Sequence, residues 1–217
     1  MKIASVETMV TRLPILTGDW HDTIHHVTHI ELVFVEVTSD SGITGTGVSH
    51  TSGDGGVTIE SLIQNSIIPF VVGKDVSPRA VWHETWHFLH DLGGAGFTTT
   101  ALGALDIALW DLLSKELGKP LVDVLGRVRS TIPVYASGIN LGLSEDELMA
   151  QVTRWRDAGY PAMKVKVGKP DPAEDVERLT KIREVIGPLA LMVDANQGWG
   201  PAEAVRRINM LRGLDLT

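Results

Sequence analysis

The spacing of hydrophobic residues along the chain changes near residue 125. Before that point, alternating apolar residues predict strands and apolar residues at helical spacing predict helices: strands over 2–15, 30–37 and 43–49, and helices over 57–71, from Pro78, and over 98–117. After it, short strands over 131–137, 162–167 and 190–195 alternate with helices over 144–158, 172–186 and 201–214. Strand starts about 30 residues apart are typical of consecutive βα units, which build either a doubly wound sheet or an eight-stranded barrel.

In the part of the chain after residue 125, four polar residues lie where predicted strands end. Within residues 162–168, period-two alternation puts Lys164 and Lys166 on one face of a strand. The next strand ends in Asp194 and, two residues later, Asn196. Function collects at the carboxyl ends of parallel strands in both architectures. Two adjacent ammonium groups repel and lower each other's pKa toward the range of a base; the simpler alternative is a half-buried strand with two solvated lysines.

Composition excludes several classes of function. The 217 residues carry a formal net charge of −8, which argues against a surface for nucleic acid or for an anionic membrane. Cysteine is absent, and this excludes disulfides, thiolate metal sites and a cysteine nucleophile. The first residues lack the apolar core of a signal peptide, and no apolar run has the length of a membrane span. We therefore expect a cytoplasmic globular protein.

Two motifs offer other chemistry. His83-Glu84-x-x-His87 matches the zinc-protease pattern on a predicted helix, but the chain lacks the further histidine at the expected spacing. Packing of that helix on its neighbours is the alternative interpretation. Gly45-x-Gly47 resembles part of a dinucleotide fingerprint, but it lies in a predicted hairpin and not between a strand and a helix.

Two polar segments are predicted to be flexible loops. Residues 17–29 contain four histidines whose spacing fits neither a strand face nor a helix face, so we interpret the segment as a loop that touches ligand more readily than as a metal site. Residues 50–56, rich in glycine, form the second predicted loop.

The order of these motifs resembles the enolase superfamily, in its mandelate racemase and muconate lactonizing branch. The resemblance rests on Lys164-x-Lys166 followed by Asp194-x-Asn196, on the Thr-Thr-x-Ala-Leu-x-Ala-Leu-Asp-Ile-Ala-Leu-Trp-Asp run from residue 98, and on the Gly-Lys-Pro-Leu that starts at residue 118. It implies an α+β capping domain over residues 1–125 and, over 126–217, the first three βα units of a (β/α) TIM-type barrel.

The same resemblance implies a reaction and roles for individual residues. The reaction is Mg²⁺-dependent removal of a proton α to a carboxylate, with Lys166 as the base. Lys164 would touch the substrate carboxylate and depress the pKa of Lys166. Asp194 would be the first of three carboxylate ligands to Mg²⁺, and Asn196 would contact substrate or a ligand beside the metal.

The two predicted loops take their roles from the family as well. In such proteins the loops of the capping domain close over the substrate, so Trp20, His21 and His50 are predicted substrate-binding residues. This role replaces the metal site that the histidines of residues 17–29 first suggested.

Three βα units cannot close an eight-stranded barrel. The remaining metal ligands and the partner acid or base are also absent from the chain, so we expect a fragment of an enzyme that is inactive alone and, when intact, a homo-oligomer. The leading hypothesis is an acid-sugar dehydratase or racemase of the mandelate racemase type. The alternatives are a muconate-type cycloisomerase or dipeptide epimerase, a non-catalytic remnant or interaction module, and, more remotely, a zinc protease.

Overall fold

The computed structural model describes residues 1–16 and 20–217, so part of the predicted histidine-rich loop, residues 17–19, lies outside the described residues. The chain forms two compact units. One consists of Met1–Ile15 with Thr28–Ser130, and the other of Leu16–Val27 with Thr131–Thr217. The division differs from a single cut after residue 125 because a segment of the histidine-rich loop groups with the second unit.

An antiparallel sheet is the basis of the first unit. Its strands are β1 (Ile3–Pro14), β2 (His29–Ser39) and β3 (Thr44–Ser52), hydrogen-bonded in that order. Alternate valines on the central strand, Val33, Val35 and Val37, are completely buried, as the period-two pattern predicts. The loop predicted over residues 50–56 is shorter in the structure, because β3 stays paired with β2 as far as Thr51.

Helices cover the buried face of this sheet. They are α1 (Gly56–Leu62), a π-helical turn (Ile63–Ile67), α2 (Ile68–Val71), α3 (Pro78–Leu89), a 3₁₀ turn (His90–Leu92), α4 (Phe97–Glu116) and α5 (Leu121–Val124). The buried side of α4, which includes Leu105, Leu109 and Leu112, joins the sheet valines in one hydrophobic core. Burial of this apolar surface is the main stabilising contribution to the unit.

Helix α4 lies directly against the glycines of β3. A Cβ atom on Gly45 would stand 2.2 Å from the carbonyl oxygen of Ala108, and one on Gly47 would stand 2.0 Å from that of Ala104. The Gly45-x-Gly47 motif therefore makes room for a helix backbone. On α4 itself, nothing lies within 4 Å of a Cβ built on Gly103, so Ala104 and Ala108 and not this glycine provide the close contact.

The second unit contains a parallel sheet with strand order β4-β5-β6. Its elements are β4 (Ala136–Ser137), α6 (Glu145–Asp157), β5 (Ala162–Lys166), α7 (Pro172–Ile186), β6 (Ala190–Asp194), α8 (Pro201–Met210) and a 3₁₀ turn (Arg212–Leu214). Met163 and Val165 of β5 are completely buried and pack with apolar residues of α6 and α7. The capping box that Ser144 and Glu147 predict at the start of α6 is present.

Two elements of this unit are shorter than predicted. The strand expected over 131–137 is reduced to two residues, and Pro133, which has no N–H to donate to a ladder, lies in the part that is not a strand. Helix α8 ends at Met210, and Gly213 follows inside the 3₁₀ turn. Beyond it, Leu216 pairs in parallel with Leu191 of β6.

None of the helices in residues 1–16 and 20–217 combines the length and the hydrophobicity that a membrane span requires.

Candidate active site

Strand register brings three of the predicted residues together. In the pairing of β5 with β6, Lys166 lies opposite Asp194, and both are the last residues of their strands. The Nζ atom of Lys166 lies 2.9 Å from Asp194 Oδ2, and that of Lys164 lies 3.1 Å from the same oxygen. One carboxylate thus bridges two ammonium groups at the carboxyl edge of the sheet.

The two lysines differ in exposure. The side chain of Lys166 is 7% exposed and that of Lys164 is 26% exposed. Period-two alternation predicts that both point to one side, and both ammonium groups lie within ion-pair distance of Asp194. A nearly buried ammonium needs a counter-charge, and among the described residues Asp194 provides an ion pair to Lys166.

Asp194 is held as an anion. Burial by itself would raise its pKa, but hydrogen bonds from Lys166, from the backbone N–H of Asn196 and from Lys164 outweigh burial and lower the pKa to about 2. The carboxylate is therefore ionised throughout the neutral range and can bind a cation without first losing a proton.

Asn196 lies on a strained turn directly after β6. Its φ angle is 46° and that of Gln197 is 64°, both in the left-handed region that few residues other than glycine adopt. The turn brings the Asn196 N–H to within 2.9 Å of Asp194 Oδ1. The side-chain oxygen of Asn196 is buried and accepts no hydrogen bond from the described residues.

The donor set at this edge suits a hard cation. Mg²⁺ prefers oxygen ligands such as carboxylates; Asp194 offers a carboxylate, and Asn196, whose backbone N–H bonds that carboxylate, has a side-chain oxygen without a hydrogen-bond partner among the described residues. These two residues could therefore hold a divalent ion, with further oxygen ligands from water, from substrate or from other residues.

The backbone of Lys166 is fixed by residues that sequence patterns did not reveal. Its N–H donates to Oδ1 of the fully buried Asn140 at 2.8 Å. Arg178 of α7 donates to the Lys166 carbonyl at 3.3 Å and to the Asn140 carbonyl at 3.0 Å. Asn140 and Arg178 thus replace the ladder that the two-residue strand β4 is too short to provide.

The loop after β5 is held by a buried carboxylate. Asp175 accepts hydrogen bonds from the backbone N–H groups of Gly168 at 2.8 Å and Lys169 at 3.1 Å. Its other neighbours are Arg178 at 3.4 Å and Arg207 at 3.5 Å. The contact of Asp175 with Arg178 is a local pair three residues apart on α7, whereas its contacts with the loop N–H groups and with Arg207 depend on the fold and leave no local signal in the sequence.

The segment with Trp20 and His21 belongs to the same unit as the lysines. Its described part, residues 20–27, folds into a small turn closed by a hydrogen bond from Val27 N–H to the Trp20 carbonyl, 2.9 Å. Asp22 Oδ1 accepts from the N–H groups of Ile24 and His25, each at 2.9 Å. Asp22 thus supplies the internal hydrogen bonds of a turn within the predicted loop, and the contact of this segment with ligand stays a prediction.

His50 lies in the first unit, exposed on β3 opposite Leu32. Its predicted contact with substrate stays a prediction.

A separate cluster joins His29, Glu31 and Asp54, whose potential ligand atoms lie within 4.8 Å of one another. The guanidinium of Arg12 lies among them and hydrogen-bonds His29 at 2.7 Å and the Asp54 carboxylate. The guanidinium cation of Arg12 thus already lies in this cluster and offsets one of its two carboxylate charges, and it ties the loop after β3 to β1 and β2.

The zinc-protease pattern gains no third ligand. The rings of His83 and His87 meet edge to face with centroids 4.4 Å apart, and Glu84 is paired with Lys74. Within residues 1–16 and 20–217, neither histidine joins a group of three potential metal ligands. The helix packs on its neighbours through Val81, Thr85 and Leu89, whereas His83 and His87 are exposed, so the packing interpretation holds for the helix and not for its imidazole side chains.

Two known protein families match the chain, one in its N-terminal part and one in its C-terminal part. Residues 4–126 match the N-terminal domain of the mandelate racemase / muconate lactonizing enzyme family, and residues 147–217 match the enolase C-terminal domain-like family.

Relatives extend these matches to the whole chain. The 3,6-anhydro-alpha-L-galactonate cycloisomerase of Streptomyces coelicolor is 35% identical over 216 residues, which are 99% of this chain and 60% of that protein. The L-Ala-D/L-Glu epimerase of Bacillus subtilis is 33% identical over 223 residues, 100% of this chain and 58% of that protein.

A solved structure agrees in fold. The crystal structure of L-talarate dehydratase from Polaromonas sp. JS666, in complex with Mg and L-glucarate, superposes with a TM-score of 0.86 at 31% identity and covers 99% of this chain and 58% of that one. The chain therefore spans about three fifths of the length of the proteins it matches. Its antiparallel unit and its parallel unit correspond to a capping domain and part of a βα barrel, and the chain belongs to the mandelate racemase / muconate lactonizing enzyme branch of the enolase superfamily.

Proposed function

We propose that the chain carries the first part of an Mg²⁺-dependent active site that removes a proton α to a carboxylate. The observation that carries this proposal is the arrangement of Lys164 and Lys166 around the ionised carboxylate of Asp194. A lysine base beside a ligand for a divalent cation is what such chemistry requires, since an α-proton is a very weak acid.

Each residue has a distinct role in this proposal. Lys166, the more buried lysine, accepts the α-proton at Nζ as the neutral amine and becomes the ammonium, and its backbone is fixed by Asn140 and Arg178. Lys164 contacts the substrate carboxylate. Asp194 would hold the cation, which when bound supplies positive charge that stabilises the negative charge developing on the substrate, and Asn196 contacts the substrate or a ligand beside the metal.

The substrate we propose is an acid sugar, with dehydration or racemisation as the outcome. The relative crystallised with Mg and L-glucarate is a dehydratase, which supports this class. The polar turn over residues 20–27 also suits a polyhydroxy acid. Cycloisomerisation or dipeptide epimerisation is the second candidate, supported by the cycloisomerase and the epimerase among the relatives.

Three further expectations remain proposals. The chain spans 60% of the length of the S. coelicolor cycloisomerase, and the described residues provide three parallel strands of the eight that a closed barrel needs. We infer that the 217 residues alone are inactive, that the intact protein is homo-oligomeric, and that it works in the cytoplasm.

The metal site can be tested in the chain itself with Mn²⁺, a paramagnetic substitute for Mg²⁺. Titration followed by NMR is expected to broaden the amide signals of Asp194 and Asn196 first, and Asp194→Asn is expected to abolish this selectivity. Glu184→Gln, on α7, is the matched control and is expected to leave it unchanged. Broadening centred on His29 and Asp54, or broadening unaffected by Asp194→Asn, would refute the metal site.

A further inference from the structure

We propose that Thr23 is a positioning residue that seats the turn over residues 20–27 on the carboxyl ends of all three parallel strands, in a recess that Gly142, Gly168 and Gly198 leave open. The effect of the seated turn on the reaction rests on the proposed function, whereas the seating itself does not.

Thr23 packs directly against residues that follow β5 and β6. Its hydroxyl donates to the carbonyl oxygen of Val167, the residue after Lys166, at 3.1 Å. A Cβ atom on Gly168 would stand 2.5 Å from Thr23 Oγ1, and one on Gly198 would stand 2.0 Å from Thr23 Cγ2. Real Cβ atoms do not approach other heavy atoms this closely, so both glycines are needed where Thr23 packs.

The ring of His21 packs closely against a third glycine, Gly142. A Cβ atom on Gly142 would stand 2.3 Å from Cε1 of the His21 ring. Gly142, Gly168 and Gly198 follow β4, β5 and β6 respectively. The turn over residues 20–27 therefore contacts the segment that follows each of the three strands of the sheet.

Backbone conformation does not account for two of the three glycines. Gly168 has a φ of 119°, which favours glycine whatever its neighbours. Gly142 and Gly198 are not among the residues with positive φ, so alanine could adopt their backbone angles. The close approach of His21 and Thr23 is the structural reason for glycine at these two positions.

The turn is held together by its own hydrogen bonds. Asp22 organises it from within and Val27 N–H closes it on the Trp20 carbonyl. Thr23 therefore fixes the whole turn relative to the end of β5, and with it Trp20 and His21, the two side chains proposed to face substrate. A displacement of Thr23 would move both of them relative to Lys166.

The test is an NMR measurement of contacts between the His21 ring and Gly142 Hα in the full chain. The contact is expected in the wild type, to be lost in Gly198→Ala, and to be retained in the control Gly200→Ala, which has open space around the new methyl group. Combining Gly198→Ala with Thr23→Ser removes the Cγ2 atom nearest to the new methyl group while keeping the hydroxyl that bonds Val167, and is expected to restore part of the contact. Equal His21–Gly142 contacts in Gly198→Ala and Gly200→Ala would overturn the proposal.

A second pair of variants covers the case in which Gly198→Ala does not fold. Thr23→Val keeps the size of the side chain but removes the hydroxyl, and is expected to weaken the His21–Gly142 contact and to speed amide exchange in residues 20–27. Thr23→Ser keeps the hydroxyl and is expected to preserve both. Identical behaviour of Val and Ser would refute the positioning role of the hydroxyl. Because no readout here depends on activity, failure of the seat and failure of the proposed reaction are distinguishable.

Discussion

At the scale of single residues, the buried side-chain amide of Asn140 fixes the backbone of Lys166, the candidate base. Asn140 accepts from the N–H of Lys166 through Oδ1 and donates through Nδ2 to Gln151 at 3.0 Å. This double use makes a fully buried side chain part of the sheet where the strand β4 has already ended. The position of Lys166 therefore depends on a residue that makes no contact with the lysine's ammonium group.

We predict that Asn140→Ala destabilises the chain by about 1–3 kcal/mol, because the buried N–H of Lys166 loses its acceptor. The free energy of unfolding from urea titration measures this change. Asn65→Ala, which removes an exposed asparagine that bonds only within its own helix, is the control and is expected to cost less than about 0.5 kcal/mol. Equal costs for the two variants would contradict the positioning role of Asn140.

Sequence could predict the site residues that follow a local rule. Lys164, Lys166, Asp194 and Asn196 are visible because period-two spacing and strand ends are local properties. Asn140, Arg178 and Thr23 were missed because each acts on a partner far along the chain, and no pattern around these residues identifies that partner. The bridging of both lysines by Asp194 likewise depends on strand register, which sequence alone left open.

At the scale of elements, the packing of α4 on β3 depends on backbone-to-backbone contact. Gly45 and Gly47 lie against the carbonyl groups of Ala108 and Ala104, so there is no flexible side chain that could move aside. The first unit is thus most sensitive to added volume at these two glycines.

We predict opposite effects for two glycine-to-alanine substitutions in this contact region. Gly47→Ala is expected to destabilise the chain by about 1–3 kcal/mol or more, because the methyl group meets a helix carbonyl. Gly103→Ala, within α4 and with open space around it, is expected to stabilise by about 0.5–1 kcal/mol through helix propensity. Thermal unfolding of both variants measures the difference. A Gly47→Ala variant as stable as Gly103→Ala would contradict the described packing.

The turn over residues 20–27 is predicted to loosen in acid. Burial alone would raise the pKa of Asp22, but hydrogen bonds from Ile24 N–H, His25 N–H and the His25 ring outweigh it and lower the pKa below the ordinary value of 3.8. A lowered folded-state pKa means that this stabilisation is complete above pH 3.8 and is lost as the pH falls through the lower, folded value.

Amide hydrogen exchange of Ile24 and His25, measured from neutral pH to below pH 3.8 and corrected for intrinsic rates, tests this prediction. Protection is expected to fall at the acid end, and Asp22→Asn is expected to show the weaker protection already at neutral pH. Protection independent of pH in both proteins would contradict the role of Asp22.

Most elements follow from hydrophobic periodicity, and the exceptions have local physical causes. The order of strands and helices and the capping box of α6 were predictable because each has a local pattern. Residues 131–135 were wrongly predicted as strand because apolar alternation continues there although Pro133 cannot donate to a ladder. The π-helical turn at Ile63–Ile67 left no signal in a helix-like apolar pattern.

At the scale of the whole molecule, two hydrophobic cores correspond to the two units, and the candidate site lies on the second. Several large apolar side chains of that unit stay exposed, among them Ile132, Val205 and Ile208. Val205 and Ile208 lie three residues apart on α8, a helix without a buried residue, and so share an apolar helix face of the kind that another part of a protein or a partner covers. This exposure agrees with the proposal that activity needs more residues than the 217 described by the sequence.

The most direct test of the central claim is Mg²⁺-dependent exchange of the α-proton of sugar acids with solvent deuterium, measured for the 217-residue chain and for the product of the complete reading frame that contains it. The complete product is expected to exchange the proton, Lys166→Ala is expected to slow this by about 10²–10⁴-fold, and the surface control Lys181→Ala, paired with Glu145 and Glu177, is expected to leave it unchanged. The 217 residues alone are expected to show no exchange. Exchange that survives Lys166→Ala, or no exchange by the complete product on any sugar acid, would contradict the account, and turnover by the 217 residues alone would contradict their proposed inactivity.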